Sequence, residues 1–95
     1  MRYRNLRYYP DPETGEPHIY EHDVTEDEVE EVMWAPGDDF KGRKNTRLAL
    51  GQTAAGRYLQ VVFVPDADQR GALIVTAYDL SPKTRAAYER RRRRK

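Results

Sequence analysis

Between Arg47 and Leu80 the chain carries three short apolar runs, Arg47–Leu50, Arg57–Val64 and Ala72–Leu80, separated by the glycine-containing turns Gly51–Gly56 and Pro65–Gly71. Period-two alternation is the signature of strands, whose successive side chains point to opposite faces. In the second run Leu59, Val61 and Phe63 alternate with Tyr58, Gln60, Val62 and Val64, so both faces are largely covered and the strand is expected to be central. In the third, simple alternation sets Leu73, Val75 and Ala77 on one face and Ile74, Thr76, Tyr78 and Leu80 on the other. Turns of a few residues join antiparallel neighbours. The three runs are therefore read as a meander, the one stretch able to form a sheet core.

Around it the clearest local signal is Thr25 followed three residues later by Glu28, a capping box in which each side chain satisfies an amide left unpaired at a helix start. Val24 and Val29 suit a hydrophobic staple across that cap, and Glu26, Asp27 and Glu28 suit the positive end of the helix dipole. The helix is expected from Glu26 to Trp34, stopped by Pro36-Gly37, with Val29, Val32 and Met33 as its buried stripe and Glu30 and Glu31 outward. Pro17 can open a short helical turn through His22. In Met1–Tyr9, Tyr3, Leu6 and Tyr9 suit a helix face, whereas Leu6, Tyr8 and Tyr9 suit an edge strand, and the strand is preferred. The prolines between Tyr9 and Pro17 make that stretch a loop, and Asp38–Asn45, which lacks periodicity, is expected to be loop as well. Ser81-Pro82 reads as cap and first position of a last helix, with Ala86, Ala87 and Tyr88 as its apolar patch. The fold class is thus α+β: a small antiparallel sheet, a three-stranded meander with the N-terminal segment as an edge strand, and helices packed on one face.

A chain of 95 residues is one domain, assigned to residues 1–89, with 90–95 as a basic tail. The net charge is only +1, but from Lys83 onward eight basic residues face Glu89, a balance of +7 that leaves −6 on everything before it. Such an asymmetry points to a polyanion or an acidic partner. The six like charges of Arg90–Lys95 repel and are expected to fray unless neutralised. Without cysteine there is neither a disulfide framework nor thiolate ligation of zinc. The apolar runs are too short to span a bilayer and the first residues lack a signal-peptide core, so a cytoplasmic protein without membrane association is expected.

His18-Ile19-Tyr20-Glu21-His22 matches H-x-x-E-H, an inverted zinc-protease pattern, yet it follows three prolines and marks no third ligand. It is read as surface or helix-packing histidines, and neither metal nor cofactor is expected. The run Arg90, Arg91, Arg92, Arg93, Arg94 and Lys95 can track phosphates, with Tyr78 and Tyr88 as surfaces for base stacking. The alternatives are a solubilising tail or one docked on the chain's own acidic helix. Arg57, beside the Gly51–Gly56 turn, is either a phosphate anchor or a solvated edge residue.

The capping-box helix, the turn Gly51-Gln52-Thr53-Ala54-Ala55-Gly56-Arg57-Tyr58-Leu59 and the strand Ile74-Val75-Thr76-Ala77-Tyr78-Asp79 resemble, in order and spacing, the BrnT family of toxins over about Pro17 to Tyr88. Those are ribonuclease components of toxin–antitoxin pairs, with a compact fold related to RelE. The family's Lys-His-Gly-Val reads Glu21-His22-Asp23-Val24, its Gly-Arg-x-Leu strand start reads Gly56-Arg57-Tyr58-Leu59, and its helix tyrosine matches Tyr88. Its Ala-Arg, where the arginine acts in RNA cleavage, reads Ala77-Tyr78, and Thr84 stands where glutamate is common. The resemblance implies a metal-independent endoribonuclease that grips phosphate with Arg57, Lys83 and Arg85, uses His22 as acid or base and Tyr78 as orienter or stacking surface, and is masked by a cognate antitoxin. Losing lysine and arginine removes charge stabilisation that such chemistry depends on. The alternative is a non-catalytic module of the same fold that binds RNA or a protein.

Overall fold

The computed structural model describes residues 3–68 and 70–93. In chain order the elements are β1 (Asn5–Tyr8), a 3₁₀ turn (His18–His22), α1 (Glu26–Trp34), β2 (Asp38–Lys41), β3 (Arg47–Gln52), β4 (Tyr58–Pro65), β5 (Gly71–Asp79) and α2 (Pro82–Arg93). The five strands form one open sheet in the order β1-β5-β4-β3-β2. β2 to β5 are antiparallel to their neighbours, whereas β1 runs parallel to β5, from Asn5 opposite Gly71 to Tyr8 opposite Ile74. The sheet is therefore mixed and five-stranded. It contains the expected meander as β3–β4–β5 and the expected edge strand as β1.

The strand that periodicity missed is β2. Asp38-Asp39-Phe40-Lys41 is short and polar, as suits a sheet edge that must not recruit another chain. It is held by ladder bonds to β3 and by the Gly37 amide, which donates to the Leu50 carbonyl at 2.8 Å. Gly37 has no alternative there, because a Cβ would collide with the Tyr88 ring.

α1 forms as its sequence dictates. The Glu28 amide donates to Thr25 Oγ1 at 3.2 Å, and the Thr25 amide donates to Glu28 Oε1 at 3.0 Å, so both halves of the capping box are made. Val29, Val32 and Met33 then turn inward and pack with Tyr3, Ile19, Val24, Ala49, Leu59, Val61, Phe63, Ala72, Ile74 and Ala77 in the main core. Within it Tyr3 meets Phe63 edge to face at 5.3 Å.

The alternation expected for β5 breaks at Val75. Val62 pairs with Thr76 while Phe63 pairs with Ile74, so Val75 is an extra residue, a bulge that reverses the facing of everything before it. Ala72 and Ile74 consequently share the α1 side with Ala77, in place of Leu73 and Val75.

Nor do both helices lie on one face. α2 packs through Tyr88 against Leu50, Leu80, Leu48 and Tyr58, on the side of the sheet opposite α1. Its start is as expected, the Thr84 amide donating to Ser81 Oγ at 3.2 Å and the Arg85 amide to the Ser81 carbonyl at 2.8 Å. Its end is not: Arg90–Arg93 continue the helix, and Arg91 binds Asp38 of β2 at 2.6 Å. The arginine run is thus neutralised in part by β2, and the acidic helix α1 lies across the sheet from it. Among the described residues no helix is long and apolar enough to cross a membrane.

Candidate nucleic-acid interface

The two faces of the sheet differ in charge. On the α1 side, Arg57 precedes Leu59 by two positions and so points the same way, toward the N-terminus of α1 and the end of the 3₁₀ turn. A guanidinium has five N–H donors. Nε donates to Asp79 Oδ1 at 2.7 Å, Nη1 to the Asp23 carbonyl at 2.6 Å and to Glu28 Oε1 at 3.1 Å, and Nη2 to the His22 carbonyl at 3.0 Å and to Asp79 Oδ2 at 3.1 Å. All five are engaged. Arg57 ties the start of β4 to the end of β5, to the capping box and to the last carbonyls of the 3₁₀ turn, where the chain reverses through Asp23 at φ +56°. Its hydrogen bonds to Asp79 and Glu28 raise its already high pKa, and reciprocally hold the Asp79 carboxyl below its usual range.

β1 covers β5 only as far as Ile74, so the 3₁₀ turn packs beside the rest of that edge. This brings the exposed His22 ring to 5.7 Å from Tyr78, in edge-to-face contact. Of the three residues proposed for catalysis, His22 and Tyr78 therefore touch. Arg57 reaches the His22 carbonyl, but its guanidinium is committed to the fold and faces two carboxylates.

On the opposite side β4 presents Tyr58, Gln60 and Val62 in a row, flanked by Phe40 and Leu48 across β2 and β3 and by Thr76 and Tyr78 on β5. Gln60 Nε2 donates to Tyr78 Oη at 2.9 Å, which orients the phenol over the sheet. The Thr76 hydroxyl on this face has no hydrogen-bond partner among the described residues. α2 covers the Tyr58 end. Beyond it lies an open depression of about 640 Å³ lined by Lys41, Arg43, Lys44, Leu48, Gln60 and Tyr78, among others. Lys41, Arg43 and Lys44 are exposed and form no ion pair among the described residues. The turn that presents them is closed by the Thr46 amide and hydroxyl, both donating to the Arg43 carbonyl, with Lys44 at φ +54°.

The residues proposed for RNA contact fall into three groups. Lys83, Arg90 and Arg93 are exposed on α2 without an ionic partner among the described residues. Arg85 lies 4.1 Å over the Tyr58 ring, with Glu89 at 3.7 Å; Arg92 lies 6.0 Å from the Tyr88 ring; Arg91 is taken up by Asp38. Tyr88 is 5% exposed, and burial raises its phenol above the ordinary value. Its ring is core, and Tyr58 stands nearer the surface in its place. Arg94 lies outside the described residues.

Lys41, Arg43, Lys44, Gln60 and Phe40 were missed by sequence reasoning. The legible signal was three cations within four residues around Gly42, a glycine in a turn between two strands. It became visible only once Asp38–Lys41 was recognised as a strand. No family model, curated protein or solved structure matches the chain.

Proposed function

We propose that this chain is a toxin-like RNA-binding module that holds a single strand across the sheet face opposite α1, without cleaving it. The observation that carries this reading is the alignment on that face of aromatic and amide groups between two cationic ends. Arg85, stacked on Tyr58, marks one end, and Lys41, Arg43 and Lys44, beside Val62, mark the other. Four residues of β4 separate the two, about 13 Å at the usual strand rise. Cations at such spacing can contact non-adjacent phosphates of one strand while Tyr78 and Phe40 offer rings for sequence-tolerant stacking. Lys83, Arg90 and Arg93 extend the positive field along α2.

Binding is favoured over cleavage because phosphoryl chemistry needs donors free to meet charge as it develops, and Arg57 has none left. One observation supports the second reading, a metal-independent endoribonuclease of a toxin–antitoxin pair: His22 and Tyr78 adjoin where the 3₁₀ turn packs beside β5, so that an acid–base group and an orienting phenol can work together.

Incubation of the full chain with labelled single-stranded RNA at several salt concentrations separates the readings. Salt-sensitive binding with the RNA left intact supports the module. Cleavage that His22→Ala abolishes supports the nuclease. Absence of RNA binding even at low salt excludes both and turns the same face toward a protein partner, such as a cognate antitoxin.

A further inference from the structure

We infer that Asp11, His18 and Glu21 form a binding site for a divalent transition-metal ion of the zinc kind, separate from the proposed RNA face. The two histidine rings of the H-x-x-E-H segment adjoin edge to face at 5.8 Å, but only His18 sets a nitrogen against the two carboxylates. His22 turns to Tyr78, while His18 turns to the proline-rich loop, and the third group is one that sequence spacing could not nominate.

That loop is tightly organised. The His18 amide donates to the Tyr9 carbonyl at 2.9 Å, the Asp11 amide to the Glu16 carbonyl at 2.8 Å and the Gly15 amide to the Asp11 carbonyl at 2.8 Å, with Pro10 bridged to Pro17. Asp11 is thereby fixed beside the first residue of the 3₁₀ turn, its side chain only 8% exposed. Its Oδ1 accepts the Glu13 amide at 2.8 Å, which leaves Oδ2 to face His18 Nδ1 at 3.6 Å. Glu21 Oε2 stands 3.1 Å from the same Nδ1, and the three donor atoms all lie within 4.8 Å of one another.

Two features point to a metal ion. Zinc binds imidazole nitrogen and carboxylate oxygen at about 2.0–2.2 Å, so two ligands at tetrahedral or octahedral angles stand roughly 2.9–3.5 Å apart. The separations of 3.1 and 3.6 Å need only small side-chain adjustment to meet this. Charge is the second feature. One imidazole nitrogen offers at most one N–H, so two carboxylates converge on a single donor and a single positive charge. A dication satisfies both and also takes the nitrogen lone pair. Imidazole with two carboxylates suits zinc or manganese, and the absence of sulfur disfavours soft ions. Glu21, 54% exposed, lies on the solvent side, where water completes the coordination. A bound ion would clamp the 10–17 loop to the 3₁₀ turn, whose other end Arg57 already holds.

The test is calorimetric titration of the metal-stripped full chain with Zn²⁺ near neutral pH, alongside histidine ring resonances by NMR. One equivalent is expected to bind, shifting the His18 resonances more than those of His22. Glu21→Gln and His18→Gln should each weaken binding by about tenfold or more. His22→Gln should leave it unchanged. Glu21 is exposed, so its variant keeps the fold even if an Asp11 variant does not. No saturable binding overturns the proposal, leaving His18 as an ion-pair partner of the two carboxylates. Binding that survives Glu21→Gln, or that His22→Gln abolishes, overturns it as well.

Discussion

Arg57 at the entrance to β4 and the Lys41, Arg43 and Lys44 corner between β2 and β3 carry the same sign of charge at separate places on one sheet, and their surroundings differ throughout. Arg57 is enclosed by two carboxylates and two carbonyls with every N–H donating. The corner cations are exposed, unpaired among the described residues, and gathered round a depression floored by Leu48, Gln60 and Tyr78. A charged side chain serves the fold when neighbouring elements supply its counter-charges, and is free for a partner when they do not. Local sequence does not decide which. Gly-Arg-Tyr-Leu at a strand start reads as a phosphate anchor or a solvated edge residue, whereas Lys-Gly-Arg-Lys reads as a featureless loop, and the tertiary arrangement pairs the first and leaves the second open.

Mutation can break this contrast from either side. Neutralising the corner with Lys41→Ala, Arg43→Ala and Lys44→Ala together should weaken RNA binding about 100-fold at moderate salt and make the salt dependence shallower by about two phosphate contacts, as filter binding would read. The thermal midpoint should barely move, because exposed substitutions remote from packing usually cost under about 0.5 kcal/mol. Arg57→Ala should do the opposite. It leaves Glu28, Asp79 and two carbonyls without their donor, so a loss of about 2 kcal/mol is expected in urea unfolding, with RNA affinity of the folded protein retained. A large loss of RNA affinity in folded Arg57→Ala would collapse the distinction between the faces.

Tyr78→Ala tests the centre of the open face. Removing one stacking ring should weaken RNA binding about tenfold, near the lower end for a base on an aromatic side chain. Thr25→Ala is the corresponding probe behind the sheet, expected to cost about 1 kcal/mol through the lost cap and to spare binding.

The smallest expected effect is on pH dependence. Hydrogen bonding from Arg57 holds the Asp79 carboxyl below its ordinary value, and the Glu13 amide does the same for Asp11. For a depressed acid the stabilisation is complete above the unfolded value of about 3.9 and fades as pH falls through the lower folded value. Urea midpoints should therefore decline below about pH 4. Asp79→Asn should flatten that decline relative to the parent, whereas the corner variants should leave its shape unchanged.

Much of the fold was legible because its causes are local. Alternation marked β3, β4 and β5, the Thr25–Glu28 box marked α1 to the residue, and Ser81-Pro82 marked the start of α2. What was misread had non-local causes. β2 exists because β3 offers it a ladder, not because Asp-Asp-Phe-Lys prefers a strand. The bulge at Val75 follows from pairing with β4, and it alone decides that Ile74 rather than Leu73 enters the core. Of the proposed site, His22 and Tyr78 were each named from the resemblance, but their contact follows from the packing of the 3₁₀ turn beside β5 and had no local signal. Tyr88 was read both as part of the apolar patch of the last helix and as a stacking surface, and its burial selects the first, because a helical tyrosine beside two alanines looks alike whether it meets a core or solvent.

The sequence alone determined where α1, α2 and the strands of the meander begin, since caps, prolines, glycines and side-chain periodicity act within a few residues of themselves. It also determined that charge is divided between an acidic body and a cationic end. Only the tertiary structure decided that α1 and α2 take opposite faces, that Asp38 receives Arg91, and that Arg57 is spent on the fold while the β2–β3 corner stays open. Those outcomes depend on which groups pairing and packing bring together from distant parts of the chain, and a hydrogen-bond donor cannot serve the fold and a ligand at once.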